Sequence, residues 1–111
     1  MLNQVTLVGR LTKDPDLRYT AEGVPYCFIT MAVSRDFRSQ NGEVQSDFIT
    51  VTLWRKNAES TAQRCQKGTM VAVKGRVQTR SYEKEQNQKI YVTEVAVEQI
   101  KFLSHMVSVN V

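Results

Sequence analysis

The chain has 111 residues, 41% hydrophobic and 23% charged, with a formal net charge of +4. That length suits one hydrophobic core and is short for two, and apolar residues recur often enough through residues 1–103 to argue against disorder there. No apolar run nears the roughly 20 residues that span a bilayer, and no basic segment followed by an apolar stretch opens the chain, so neither a membrane span nor export is expected. The basic balance favours an anionic partner.

Residues 3–12 read as a first strand with Val5, Leu7 and Leu11 on one face, interrupted by Gly9 as at a bulge or a sharp bend in a small barrel. Lys13-Asp14-Pro15-Asp16 supplies turn chemistry, and the connection ends near Glu22-Gly23. A second strand, about Tyr26 to Phe37, sets Ile29, Met31 and Val33 against Phe28, Thr30, Ala32 and Ser34. Asn41-Gly42 is a hairpin signal that makes the second and third strands antiparallel neighbours. The third strand, Asp47 to Trp54, has the clearest period of two: Ile49, Val51 and Leu53 on one face, Phe48, Thr50, Thr52 and Trp54 on the other.

After it the period changes. Asn57 is a candidate N-cap for a short helix running towards Gly68, with Ala58, Ala62 and Cys65 on one face and Glu59 near the positive end of the dipole. The fourth strand, Thr69 to Arg80, turns Val71, Val73, Gly75 and Val77 inward and Lys74, Arg76, Gln78 and Arg80 outward. A polar loop is expected over Ser81 to Gln88, then a fifth strand from Lys89 to Leu103. Residues 104–111 are expected to be a mobile tail beyond a domain of residues 1–103. Cys27 and Cys65 form no CxxC pair and sit where small apolar residues would pack, so buried free thiols in a cytoplasmic protein are expected rather than a disulfide.

Three strands, one short helix and two further strands, with glycines inside the first and fourth, fit an all-β OB-fold: a five-stranded Greek-key barrel with the helix between strands 3 and 4. The outer face of the third strand then matters, because two aromatics among hydroxyls are not an ordinary solvent face. Either a second layer covers Phe48 and Trp54, or they are left for something flat to stack on. Cations interleave with rings along the chain: Arg35, Phe37 and Arg38; Phe48; Trp54, Arg55 and Lys56; Lys74 and Arg76; Arg80, Tyr82 and Lys84. Sequence-tolerant binding of a single strand needs these two ingredients, π-faces for bases and cations for phosphates.

Several separated stretches carry a family resemblance: Asn3-Gln4-Val5-Thr6-Leu7-Val8-Gly9-Arg10-Leu11, Asp14-Pro15-Asp16-Leu17-Arg18-Tyr19, Lys67-Gly68, Gly75-Arg76-Val77-Gln78-Thr79-Arg80-Ser81-Tyr82 and Tyr91-Val92-Thr93-Glu94-Val95. In this order they resemble the bacterial single-stranded-DNA-binding proteins, in one register from about residue 3 to residue 103. The resemblance implies an OB-fold protomer, a homotetramer and a role in coating and protecting unwound DNA during replication, recombination, repair or uptake, at the nucleoid. The implied base-stacking residues are Phe37, Phe48, Trp54 and Tyr82, where other members often carry tryptophan in place of Phe37, Phe48 and Tyr82. The candidate phosphate contacts, read from the cations interleaved with the rings together with Arg10, are Arg10, Arg35, Arg38, Arg55, Lys56, Lys74, Arg76, Arg80 and Lys84. Family members commonly continue into a Gly/Pro/Gln-rich linker and an acidic tip that recruits replication and repair enzymes; the sequence stops at Val111 without them, so such recruitment is not implied.

Catalysis is not expected. His105 is the only histidine, which leaves a histidine-based triad or a metal cluster short of members. No phosphate-cradling glycine motif occurs, and no cofactor is called for. Two other binding functions fit the pattern: an OB-fold adaptor of the primosome type, in which the aromatics are dispensable, and an RNA-binding OB domain, since no residue marks a reader of the 2′-hydroxyl.

Overall fold

The computed structural model describes residues 1–38 and 41–104, with side chains throughout except at 36–38 and 104. The elements are β1 (Val5–Leu11), β2 (Arg18–Tyr19), β3 (Pro25–Arg38), β4 (Val44–Trp54), α1 (Lys56–Arg64), β5 (Met70–Lys84) and β6 (Gln88–Ser104). Residues 105–111, most of the expected tail, lie outside the described residues. Hydrogen bonding runs β1-β5-β6-β4-β3, and a β1–β3 pairing closes the ring. This is an OB-fold barrel. The two-residue β2, paired to the start of β3, shifts the count, so the helix expected between strands 3 and 4 lies between β4 and β5.

The core follows from strand alternation. Cross-strand partners share a face, and the row Leu11, Met31, Ile49 turns inward while its neighbour Arg10, Ala32, Phe48 turns outward. Met31, Val51, Leu53, Val71 and Val73 are fully buried, with Ile29 and Val95 close to it. Each such side chain contributes about 1.5–3 kcal/mol relative to exposure. Helix α1 plugs one end of the barrel with Ala58 and Thr61, followed by Cys65. Its N-terminus departs from expectation. Arg55, in the left-handed region at φ 59°, caps the helix, and its N–H donates to the Pro25 carbonyl at 2.8 Å. Asn57 instead lies in the first turn, where its Nδ2 donates to the Glu98 carbonyl at 3.4 Å.

Gly75 marks where β5 changes role. A Cβ there would run into the carbonyl of Ala96, and the β5–β6 register shifts between Lys74 and Gly75. Beyond this bulge β5 leaves the barrel, so Val77, expected inward, is exposed. The side chain of Asn3 accepts from the Val77 N–H and donates to its carbonyl, both at 2.9 Å, covering the strand edge left open there. The polar segment expected as a loop from Ser81 continues the strand to Lys84 and turns only at Glu85–Asn87. Polar residues suit this two-stranded arm because both of its faces meet water, and cross-strand pairing from Arg80↔Val92 to Lys84↔Gln88 holds it.

Candidate nucleic-acid interface

The outer face of β3 and β4 forms one side of the site. Register places Tyr26 beside Trp54, Phe28 beside Thr52, Thr30 beside Thr50 and Ala32 beside Phe48. Phe48 is 67% exposed and Trp54 43%, and no second layer of the chain covers them among the described residues. Tyr26 stacks on Trp54, and Tyr26 and Phe28 meet edge to face with centroids 5.7 Å apart.

The parallel pairing of β4 with β6 carries this face onward. Thr52 lies beside Ala96, which in turn lies beside Arg76 on β5, so Phe28, Thr52, Ala96 and Arg76 form one row across four strands. Gln78, Arg80 and Tyr82 alternate along the same side of β5, with Tyr82 paired to Ile90 and 49% exposed. Between these residues Glu94 is sunk to 2% exposure. Its Oε2 accepts from Gln78 Nε2 at 2.7 Å and its Oε1 from Arg80 Nε at 3.0 Å. The Arg80 guanidinium carbon lies 5.1 Å from the centre of the Phe28 ring.

The residues singled out from sequence are thus distributed unevenly. Phe48, Trp54, Arg76, Arg80 and Tyr82 share one curved face. Arg55 and Lys56 are exposed at the turn beside Trp54, and Lys84 is exposed at the tip of the arm. Arg10 is in the same row as Phe48, with Nη1 donating to the Gly68 carbonyl at 2.9 Å. Lys74 is elsewhere: its neighbours are Thr6 and Gln99, on the β1–β5–β6 wall. Arg35 lies with Asp47 on the opposite side of the β3–β4 ribbon from Phe48. Its Nη2 donates to Asp47 Oδ1 at 2.7 Å and its Nη1 to Gln45 Oε1 at 3.2 Å. This pairing pulls the Asp47 carboxyl below its ordinary range, chiefly through the hydrogen bond from Arg35. The side chains of Phe37 and Arg38 lie outside the described residues.

Tyr26 and Phe28, absent from the stacking candidates, join Trp54 in one aromatic cluster. The signal was available: Phe28 alternates in phase with Thr30, Ala32 and Ser34, a polar face on which a ring has no packing role. Glu94 also left a trace, as one acid in phase with Ile90, Val92 and Ala96, because a buried carboxylate requires a cation and hydrogen-bond donors nearby. Among the described residues no cluster of His, Cys, Asp and Glu is placed to hold a metal ion, and no helix is long and apolar enough to cross a membrane.

A small Greek-key barrel with a ring-bearing outer face and basic margins defines an OB domain of the kind that binds oligomeric ligands across its strands. The chain belongs to the single-strand binding protein family, whose model matches residues 2–103. Over 103 residues it is 55% identical to single-stranded DNA-binding protein B of Bacillus subtilis (strain 168), a match covering 93% of this chain and 91% of that protein. It is 54% identical over 103 residues to the single-stranded DNA-binding protein of Enterococcus faecalis, covering 93% of this chain and 55% of the relative. It is likewise 54% identical to single-stranded DNA-binding protein 2 of Listeria monocytogenes, covering 93% of this chain and 64% of the relative. Against these last two, the chain spans between half and two thirds of the relative's length.

Proposed function

We infer that this protein binds single-stranded DNA without reading its sequence, coating unwound strands. Bases stack on Phe48, Trp54 and Tyr82, with Phe37 as a fourth station, and Arg76, Arg55, Lys56 and Lys84 draw the phosphates along the same track. The observation that carries this reading is the exposure of Phe48 and Trp54, in phase on β4, in a member of the single-strand binding family. Each base stacked on an aromatic contributes on the order of 1–3 kcal/mol, and each phosphate neutralised adds about 0.7 to the steepness of the log–log salt dependence. Binding is the whole of the activity proposed, with no catalytic step.

The same reading includes assembly as a homotetramer in the cytoplasm. It is supported by exposed apolar side chains outside the aromatic cluster, among them Val77 and Leu103, and sedimentation giving a monomer would contradict it. The test of binding is a titration of Trp54 fluorescence, the chain's one tryptophan, with oligo-dT of defined length at several salt concentrations. Strong, salt-sensitive quenching and much weaker binding to duplex are expected. Equal affinity for duplex, or tighter binding of a matched RNA, would overturn the assignment.

A further inference from the structure

Resting on the reading of the outer face as a single-strand interface, we propose that Arg80, laid over Phe28 and tied back to Glu94, is a base-stacking platform and not a phosphate contact. The pieces are three. Glu94 is a buried carboxylate, and Arg80 is the cation that neutralises it, through Nε at 3.0 Å. A charge already matched by a buried partner adds little to counterion release, so Arg80 is a poor phosphate neutraliser. The tie at Nε also limits rotation of the guanidinium plane, while Phe28, itself 40% exposed, supports it at 5.1 Å.

A guanidinium held this way is a flat, weakly hydrated surface, and bases stack on arginine planes as they do on rings. The Arg80 side chain is 43% exposed, which leaves room for a base. Through Phe28 the platform is continuous with Tyr26 and Trp54. A line of flat groups therefore crosses from β4 through β3 to β5, and Arg80 is the step between Trp54 and the arm that carries Tyr82.

The test separates planarity from charge. Arg80→Lys keeps the charge and loses the plane; Phe28→Leu keeps an apolar support and loses the ring. Both are titrated with oligo-dT across a salt series, alongside wild type, Arg80→Gln and Arg76→Gln. Arg80→Lys is expected to bind about tenfold more weakly at fixed salt with the log–log slope unchanged, and Phe28→Leu to weaken binding in the same way. Arg76→Gln is expected to flatten the slope by about 0.7. Wild-type affinity in Arg80→Lys overturns the proposal, as does a flattened slope in Arg80→Gln. Because Phe28 is exposed and outside the core, Phe28→Leu decides the matter alone if Arg80→Lys fails to fold, and wild-type affinity in it overturns the proposal equally. Wild-type protein that does not bind oligo-dT at all would instead overturn the underlying assignment.

Discussion

Tyr26 and Trp54, cross-strand partners on β3 and β4, stack with ring centroids 5.1 Å apart and planes 27° from parallel. One face of the indole is therefore covered by the Tyr26 ring, while Trp54 as a whole stays 43% exposed. Tyr26 holds Trp54 in place before any strand arrives, and such an aromatic pair is worth about 0.5–1.5 kcal/mol beyond area burial. Tyr26→Leu is expected to lower affinity for oligo-dT by about 2- to 10-fold and to shift the emission of the free protein to the red as the indole gains water. Fluorescence titration reads both; unchanged affinity would show that Trp54 needs no support.

Arg35 and Asp47 test whether a paired cation is available to phosphate. Asp47→Asn frees the guanidinium, and if the strand passes it, the log–log salt slope steepens by about 0.7. An unchanged slope places Arg35 off the path. The pair also has a pH signature. Arg35 holds the Asp47 carboxyl below its ordinary range, so its contribution to folding is complete above the ordinary carboxylate value and is lost as pH falls through the lower folded value. The difference in melting temperature between wild type and Asp47→Asn is expected near neutrality and should vanish in strong acid.

Cys27 is fully buried beneath the β3–β4 sheet, and burial, with a smaller effect from Cys65, pushes its thiol from 9.0 up to about 11. Burying the neutral thiol stabilises the fold fully below pH 9, and that advantage fades as pH rises towards 11. Wild type is therefore expected to lose melting temperature more steeply than Cys27→Ala over that interval, the comparison cancelling other alkaline titrations. Thiol reagents should react with neither Cys27 nor Cys65 until the protein unfolds. Rapid labelling at neutral pH would contradict the burial of both.

Gly75 is expected to resist replacement more than its strand position suggests. A Cβ would meet the Ala96 carbonyl, a backbone atom that cannot swing aside, so Gly75→Ala forces β5 and β6 apart at the bulge. A loss of about 1–3 kcal/mol in denaturant unfolding is expected from overpacking of this kind. DNA affinity should fall with it, because Arg76 and Thr52 sit on either side of Ala96 in its row; Gly23→Ala, strained only by its own backbone in open space, serves as the control for folding alone.

Wherever one face of a strand is buried and the other is not, the fold is legible from residue order. Ile49, Val51 and Leu53 against Phe48, Thr50, Thr52 and Trp54 show this, since a slip of one residue would exchange core for solvent. The arm is harder. From Ser81 to Lys84 no face is buried, so alternation carries no core signal and the polar composition resembles a loop; the strand persists there through pairing with residues that follow it in sequence. Arg35 and Lys74 share a different difficulty. Alternation with Val33 already sets Arg35 on the side away from Phe48, but that Asp47 and Gln45 hold it depends on the β3–β4 register, and where Lys74 faces depends on closure of the ring, neither of which is local. Phe28 was in phase with the open face, but nothing in the order of residues announces that Arg80 would lie over it.

The parallel seam between β4 and β6 has only two register pairs, Val51↔Val95 and Thr52↔Ala96, between two long antiparallel ribbons. One ribbon brings Trp54, Phe48 and Phe28; the other brings Arg76, Arg80 and Tyr82. Each ribbon pairs residues near in sequence and is quick to form, whereas the seam joins distant segments and carries the greater loop-closure cost. Until it forms there are two half-sites with no common track along this face, so forming the seam and joining the two halves of the candidate site are a single event. A bound strand spanning both halves acts as a clasp across that seam, and by linkage would slow hydrogen exchange at Thr52 and Ala96 more than at the ribbon ends.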